Sequence, residues 1–173
     1  KGYNLASYRL SNTKQKNITI PIEVRLKTYL KHLILNYYEF ISGAKHLSDS
    51  YLFGKEVEKG KVAYKAYRYF TLFPQQLYKE IFNYIIDLYL SGLKKPLHFL
   101  PKYSYECFKS TKKINYTDMI NDIKKPQNRP PDNYILFYLK DFEPAESFFD
   151  KKFIETAVKI YGYMKDAEEE LND

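Results

Sequence analysis

The stretch from Phe73 to Lys109 constrains the fold of this chain more than any other part of the sequence. Pro74 suits the first turn of a helix, because proline has a preset φ and lacks an N–H that would have no partner there. Gly92 can adopt the left-handed conformation that closes a helix, so we expect the helix to end at about this residue. Between them, apolar residues recur at helical spacing and leave a narrow polar stripe, which predicts a deeply buried helix. The apolar line consists of Leu77, Ile81, Ile85 and Leu88, with Tyr78, Phe82 and Tyr89 beside it.

A short apolar segment, Leu97–Leu100, follows between Pro96 and Pro101. With a proline on either side, this segment is predicted to be an extended, packed connector rather than a helix. The residues from Lys102 to Lys109 can then begin a second helix, which completes the central stretch.

Before the central stretch, the pattern changes from helical to strand periodicity. Ile20–Phe40 predicts a long helix, with Pro21 in its first turn and Gly43 after its end. Tyr51–Lys55 and Val62–Tyr69 predict two strands joined by a short turn. The order helix, strand, strand, helix favours an α+β fold in which helices pack on a small antiparallel or mixed sheet.

The region after the central stretch is polar at first and apolar later. Ser110–Arg129 is predicted to be loop, with room for one short helix near Tyr116–Ile123. Asn133–Leu139 is too short for periodicity to decide between strand and helix. A last helix is expected over Ser147–Lys165, with Glu168–Glu170 fraying beyond it. Five residues of this region are expected to face inward: Phe149, Phe153, Ala157, Ile160 and Tyr161.

The length of 173 residues predicts one domain with a core of its own. Because the first residue is Lys1 rather than Met, we expect this domain to be a piece of a longer protein. The single cysteine, Cys107, cannot form an internal disulfide, which fits a reducing cytoplasm. No stretch approaches the roughly 20 apolar residues of a membrane span, so no membrane partner is expected. The expected divisions are an irregular lead-in or edge strand over 1–17, a core over 18–109, a loop over 110–131, and an apolar segment and helix over 132–173.

The central stretch resembles a known family. A helix that ends in Gly-Leu is followed by Pro-Leu, a short apolar run, Leu-Pro-Lys and an aromatic-rich helix. This block is similar to the C-terminal domain of RecC, the gamma subunit of bacterial exodeoxyribonuclease V, the RecBCD complex. Weaker similarities lie at Leu26–Leu33, Tyr51–Phe53 and Asp132–Tyr134, in the order that the family has them. The matching residues of the block are Gly92, Leu93, Pro96, Leu97, Leu100, Pro101 and Lys102.

The resemblance implies a function that belongs to a larger assembly. Complexes of this family unwind and degrade DNA from broken ends, in double-strand break repair and recombination. The C-terminal domain is implied to have a nuclease-like core of the restriction-endonuclease type that lacks the catalytic site. It is implied to dock a RecD-like helicase subunit. A RecB-like subunit belongs to the same complex, and the resemblance implies contact with DNA through the complex as a whole. This domain would then be a non-catalytic part of an enzyme.

The distribution of charge favours a first alternative, a DNA-binding module that lines a channel. Residues 1–130 hold 23 basic and 10 acidic residues, a net charge of +13, whereas residues 131–173 hold 5 basic and 11 acidic residues, a net charge of −6. A basic body indicates a nucleic-acid partner, because neutralised phosphates release counterions, although scattered lysines are also typical of a solvated surface. The possible DNA contacts are Lys94, Lys95, Lys102, Lys109, Lys112 and Lys113.

A second alternative is an active Mg²⁺-dependent nuclease. Nucleases of the restriction-endonuclease type need an acidic residue and then an acidic-x-Lys pair, since the carboxylates hold Mg²⁺ and the lysine positions the attacking water. Asp132, followed by Asp150 and Lys152, matches this sequence pattern. Asp150 and Lys152 fall at the start of the predicted last helix, however, where aspartate is favoured as a cap and strand geometry is not expected. We therefore expect no catalytic residue, no metal site and no cofactor.

The remaining reactive and aromatic residues have structural explanations. His32, His46 and His98 are far apart and lack ligand-spaced partners, so structural histidines are expected. Cys107 lies in an aromatic segment without an acid–base partner and is expected to be a buried thiol. Tyrosines can serve core packing, a protein interface or stacking on single-stranded nucleic acid, and they cluster at Tyr64, Tyr67 and Tyr69 and again at Tyr103 and Tyr105.

Overall fold

The computed structural model describes residues 5–10, 20–44, 47–58, 61–71, 76–95, 97–110, 115–124, 139–140 and 145–171. The chain divides into two compact units. The first consists of Lys1–Asp87 with Tyr163–Asp173, and the second of Leu88–Gly162. One domain over residues 1–173 stays a prediction.

The first unit contains a four-stranded sheet in the order β1-β2-β3-β4. Strand β1 pairs parallel to β2, whereas β3 pairs antiparallel to both β2 and β4. A parallel pair requires a crossover, which α1 supplies here. The mixture of helices with a small mixed sheet confirms the predicted α+β class. The bounds are β1 Leu5–Leu10, α1 Ile22–Ile41, β2 Ser50–Glu58, β3 Lys61–Tyr69, α2 Gln76–Lys94 and β4 Glu168–Leu171.

The predicted hairpin is confirmed by β2 and β3, whereas the predicted irregular lead-in over 1–17 needs a correction. Leu5–Leu10 forms β1 at the edge of the sheet, which is the edge-strand alternative. Its register with β2 runs from Leu5 opposite Ser50 to Leu10 opposite Lys55. Because this pairing is between residues some 45 apart, local sequence patterns carried little information about it.

The predicted fraying of Glu168–Glu170 is wrong, because these residues form β4. Glu168 lies opposite Tyr69, Glu169 opposite Arg68 and Glu170 opposite Tyr67 on β3. Three adjacent carboxylates would ordinarily repel one another, but each has a basic partner in the first unit. The ion pairs are Glu168 with Arg25, Glu169 with Arg68, and Glu170 with Lys65.

Helix α1 covers one face of the sheet. Pro21 caps it at the N-terminal end, and Gly43, with φ of 72°, follows its C-terminal end as predicted. The Tyr29 ring lies 6.1 Å from the Tyr69 ring of β3, centroid to centroid. Tyr37 of α1 also stacks on Phe82 of α2, with ring centroids 4.1 Å apart. These contacts place the core of the first unit between α1 and the inner face of the sheet.

The second unit is helical in its described parts and has an aromatic core. The five residues predicted to face inward in this region are all buried, which confirms that prediction. The region predicted as loop over 110–131 contains α4, close to the short helix considered for it, and Ile120 and Ile123 anchor this helix in the core. The bounds are α3 Pro101–Lys109, α4 Tyr116–Lys124, a 3-10 helix Ala145–Phe148, and α5 Lys151–Ala167, which continues into the first unit. The core cluster comprises Cys107, Ile120, Ile123, Leu139, Phe148, Phe149 and Phe153.

Gly92 has a different role from the predicted one. Helix α2 continues to Lys94, and among the described glycines a positive φ occurs at Gly43 and not at Gly92. A Cβ atom at Gly92 would lie 3.1 Å from Cγ of Leu97. The glycine therefore serves the close approach of the connector to the helix rather than the end of the helix.

Candidate docking surfaces

The surface of α1 carries a line of exposed residues that we call the outer seam. It consists of Lys27, Lys31, Ile34, Tyr38 and Ile41, which are separated by four, three, four and three residues. Ile34, Tyr38 and Ile41 are 58%, 62% and 60% exposed. Alternating spacings of four and three are those of the contact line in a coiled coil. The outer seam therefore has the spacing of a helix–helix contact, although no helix of the described residues covers it.

The opposite face of α1 is fixed in the core of the first unit. Leu26, Tyr29 and Leu33 are buried, and so is the polar side chain of Asn36. Since these residues pack on the sheet, α1 cannot rotate to bury its outer seam without exposing them. The exposure of the outer seam is thus a consequence of how the core is built.

A second exposed apolar line, the α2 stripe, corrects the prediction that α2 is deeply buried. Tyr78 and Ile81 in the first half of the helix are buried as expected. In the second half, apolar side chains point to solvent, and the exposed residues Lys94 and Lys95 follow them. The α2 stripe consists of Ile86, Tyr89, Leu90 and Leu93.

The outer face of the sheet is the third exposed surface. Because side chains alternate along a strand, Leu52 and Tyr69 point into the core while Phe53 and Tyr64 point outward. Phe53 is 45% exposed and Tyr64 is 61% exposed. Tyr51 stacks on Phe53 with ring centroids 6.2 Å apart and planes inclined by 11°. The outer face of the sheet is therefore aromatic.

The possible DNA-contacting lysines are not gathered into one free cluster in the described part of the chain. Nζ of Lys102 lies 2.9 Å from Oδ2 of Asp122. Nζ of Lys109 lies 3.4 Å from Oε1 of Glu106 and 4.7 Å from the centroid of the Tyr105 ring. Lys94 and Lys95 are exposed at the end of α2, whereas Lys112 and Lys113 lie outside the described residues.

Of the two acidic residues in the nuclease-like pattern, the structure describes Asp150, and this residue has a structural role. Asp150 caps α5, since its Oδ1 accepts a hydrogen bond of 2.8 Å from the backbone N–H of Phe153. Its Oδ2 also lies 3.2 Å from Nδ1 of His98. Burial raises the pKa of the Asp150 carboxyl, but the hydrogen bonds from Phe153 and His98 outweigh burial and hold that pKa below its usual value. Lys152 is exposed on α5, and Asp132 lies outside the described residues.

Lys65 of β3 forms an ion pair with one glutamate of β4, and a second glutamate of that strand binds an arginine instead. Glu170 lies 2.7 Å from Nζ of Lys65, an ion pair that lowers the pKa of the carboxyl and raises that of the lysine. Glu168 instead binds Arg25, whose Nε donates to Oε1 at 3.0 Å, and it accepts a hydrogen bond of 2.8 Å from Tyr69 Oη. Each carboxylate is thus neutralised by its own cation. Within the described ranges, no group of three His, Cys, Asp or Glu residues is placed to hold a metal ion.

A buried polar network ties α1 to the start of β2. Nδ1 of His32 lies 3.1 Å from Oγ of Ser50, and Nδ2 of Asn36 donates to the Ser48 carbonyl at 3.0 Å. Glu39 accepts hydrogen bonds from the backbone N–H and the hydroxyl of Ser48, at 2.8 and 2.7 Å. Burial lowers the pKa of His32 to about 4, so this histidine is neutral and structural, as predicted.

Cys107 is buried in the core of the second unit, where burial raises the pKa of its thiol to about 11. A thiol with this pKa is protonated at neutral pH and is a weak nucleophile. The expectation of a buried, unreactive cysteine is thereby confirmed.

The outer seam and the β4 ion pairs were missed by sequence reasoning, for different reasons. The four-three spacing from Lys27 to Ile41 is present in the sequence, but the line of Leu26, Tyr29 and Leu33 on the same helix already accounts for its apolar periodicity. The β4 pairs join residues more than a hundred positions apart, as Arg25 and Glu168 are, and no local pattern signals them.

The fold and its surfaces define a small α+β protein with exposed apolar and aromatic surfaces. A comparison with protein families matches the RecC C-terminal domain over residues 5–112, which is more than half of the chain and includes the block from Gly92 to Lys102. The chain therefore belongs to the RecC C-terminal domain family. Membership connects it with the gamma subunit of exodeoxyribonuclease V, the RecBCD complex, and with DNA repair in general.

Two further comparisons, with curated proteins and with solved structures, gave no significant match. A search of the described helices found none that is both long and apolar enough to cross a membrane.

Proposed function

We propose that this chain is a non-catalytic C-terminal domain of an exodeoxyribonuclease V gamma subunit and that it docks a RecD-like helicase subunit. A RecB-like subunit belongs to the same complex, which unwinds and degrades DNA ends in the cytoplasm for repair and recombination. The domain derives from a nuclease-like core of the restriction-endonuclease type that has lost its metal site. Its contribution is a set of binding surfaces.

The exposed apolar lines on α1 and α2 are the observation that supports docking. Seven large apolar side chains on these two helices are at least 38% exposed. Exposed apolar residues that follow one another along a helix form a patch of the kind that marks contact sites, whereas single exposed apolar residues are ordinary surface. The neutralised carboxylates of β4 and the capping role of Asp150 argue against catalysis by the same domain.

Complex formation with separately purified subunits tests the proposal. The full chain is mixed with the RecD-like or the RecB-like subunit, and the mass of each mixture is followed by size-exclusion chromatography with light scattering. We expect a stable one-to-one complex with the RecD-like subunit and none with an unrelated helicase of similar size. A folded chain that binds neither cognate subunit would contradict the proposal.

A second candidate function is binding of single-stranded nucleic acid on the outer face of the sheet. Tyr51, Phe53 and Tyr64 are suited to stack on bases, which is worth about 1–3 kcal/mol per base. Arg68, which lies opposite Tyr51, is already bound to Asp49 at 2.8 Å and to Glu169 at 3.4 Å, whereas Lys55 lies opposite Tyr64. The ion pairs of Arg68 leave less positive charge for phosphates, so we rank the DNA-binding module second.

Fluorescence anisotropy separates the two functions. Forked and single-stranded DNA are titrated with the chain over a salt series, with Mg²⁺ present and the products run on a gel. Affinity that falls steeply with salt and is lost in Phe53→Ala with Tyr64→Ala would favour the DNA-binding module. Cleavage that Asp132→Ala or Asp150→Ala abolishes would instead establish a nuclease.

A further inference from the structure

We propose that the outer seam of α1 receives an amphipathic helix of the partner subunit, and that acidic residues of that helix contact Lys27 and Lys31. This inference rests on the proposed docking function. It adds the location of the contact and the chemistry of its occupant.

The geometry of the outer seam selects a helix as the occupant. Five exposed residues follow spacings of four and three from Lys27 to Ile41, and at 1.5 Å per residue they span about 21 Å of helix. Residues at these spacings stay on one line when two helices wind around each other. A strand or a loop would meet only part of such a line.

The order of side chains along the outer seam selects the chemistry of that helix. Its first two positions are Lys27 and Lys31, and its last three are the apolar Ile34, Tyr38 and Ile41. Neither lysine has an ion-pair partner among the described residues. A helix with Asp or Glu at one end of its contact line and apolar residues at the other would match this order.

The same order disfavours a second copy of this chain as the occupant. In a parallel pair of α1 helices, Lys27 and Lys31 would face the identical lysines of the other copy. In an antiparallel pair, the lysines would lie against the uncharged side chains of Tyr38 and Ile41. Like charges and unpaired buried charges both oppose association, so a different, acidic chain is the better match.

Paired substitutions on three helices test the location. We expect Ile34→Gln with Ile41→Gln to weaken binding of the RecD-like subunit by about thirtyfold, because two isoleucines no longer bury apolar surface in the contact. Both residues are exposed, so the fold should tolerate the changes. Leu90→Gln with Leu93→Gln makes an equal chemical change on the α2 stripe and shows whether that line shares the contact. The control that should leave binding unchanged is Ile154→Gln with Val158→Gln, at two exposed apolar residues of α5 outside both lines. Calorimetric titration of the full chain with that subunit provides the dissociation constants.

A zero-length carbodiimide cross-linker tests the chemistry, because it joins a lysine to a carboxylate only when the two groups are in contact. We expect Lys27 or Lys31 to be joined to Asp or Glu in a helical segment of the partner, as identified by mass spectrometry of the complex. Lys27→Glu with Lys31→Glu should remove these products and weaken binding by about tenfold at low salt, with a smaller loss at high salt.

The outcomes distinguish this inference from the function on which it rests. Unchanged binding by the α1 variant, or a loss confined to the α2 variant, would overturn the inference while the docking function stands. Cross-links through Lys94 or Lys95 with none through the outer seam would do the same. A dimer of the wild-type chain that the α1 variant abolishes would replace the acidic partner by a second copy. If the wild-type chain binds neither cognate subunit, the docking function and the inference both fail.

Discussion

Acidification should destabilise the first unit through His32, which is fully buried between α1 and β2. The neutral ring is held by Ser50 and Asn36, with Nδ1 at 3.1 Å from both Oγ of Ser50 and Nδ2 of Asn36. Burial lowers the pKa of His32 from 6.5 to about 4, although a hydrogen bond to the backbone of Phe70 acts in the opposite direction. One unit of difference in pKa between the folded and unfolded states is worth about 1.4 kcal/mol, so the lowered pKa of His32 corresponds to about 3 kcal/mol of unfolding free energy.

The sign follows from which state binds the proton. Above pH 6.5, His32 is neutral in both states and has no effect on the pH dependence of stability. As the pH falls from 6.5 towards 4, the unfolded chain takes up a proton that the folded chain excludes, so the unfolding free energy falls. Glu170, whose pKa is held below its ordinary 4.5 by the hydrogen bond to Lys65, contributes its own loss only at lower pH.

Urea unfolding of the full chain, followed by circular dichroism at several pH values between about 7.5 and 4.5, measures this loss. His32→Gln keeps hydrogen-bonding groups but cannot take up a proton, so its stability should be nearly constant down to about pH 5. A proton NMR titration of the His32 ring provides the pKa directly. A flat profile in the wild-type chain, or an equally steep one in His32→Gln, would refute the reasoning.

Three further predictions use the same urea experiment at neutral pH. Glu168→Gln should lower the unfolding free energy by about 3 kcal/mol, because it leaves the part-buried Arg25 without its carboxylate. Glu169→Gln removes an exposed ion pair and should change the unfolding free energy by at most about 0.5 kcal/mol. Equal effects of the two changes would contradict the argument from burial. Tyr69→Phe should lower the unfolding free energy by about 1–3 kcal/mol, since the Tyr69 hydroxyl donates a hydrogen bond to Glu168. Tyr29→Phe should leave the unfolding free energy unchanged, because no described residue accepts a hydrogen bond from that buried hydroxyl. A loss of stability in Tyr29→Phe would mean that this hydroxyl has a hydrogen-bond partner. Phe153→Ala should cost about 3–5 kcal/mol, as its fully buried ring packs on Phe148 and Phe149; a loss under about 1 kcal/mol would mean that this aromatic core is loosely packed.

Local periodicity predicted the elements of this fold well, because helices and hairpins are built from neighbours in sequence. The α1 helix, the β2–β3 hairpin and the inward face of α5 all follow from spacings of residues within about 20 positions. Strand β4 was not foreseen, and β1 was foreseen only as one of two alternatives, since each strand depends on a partner far away in the chain. Glu168–Glu170 in particular has a composition typical of solvent-exposed helix ends. It forms a strand by pairing with β3, and its carboxylates meet the distant Arg25, Lys65 and Arg68.

The surfaces were harder to predict than the elements for a related reason. A helix that is apolar over most of its circumference was expected to be buried, and the first half of α2 follows this rule with Tyr78 and Ile81. The second half does not, because burial depends on what the rest of the chain places against a helix. Leu93, the most exposed of these residues at 66%, lies in the very block that carries the family resemblance.

The ion pairs of β4 also change what the net charge of this chain means. Part of the basic excess of residues 1–130 is neutralised within the fold by the acidic end of the chain, through Arg25, Lys65 and Arg68. The positive charge that remains after these ion pairs is therefore not located where a count of all basic residues would place it. Lys27 and Lys31 continue an apolar line on α1, and Lys94 and Lys95 follow one on α2. Lysines next to exposed isoleucine and leucine suit an acidic amphipathic helix better than a phosphate backbone, which offers no apolar surface to bury.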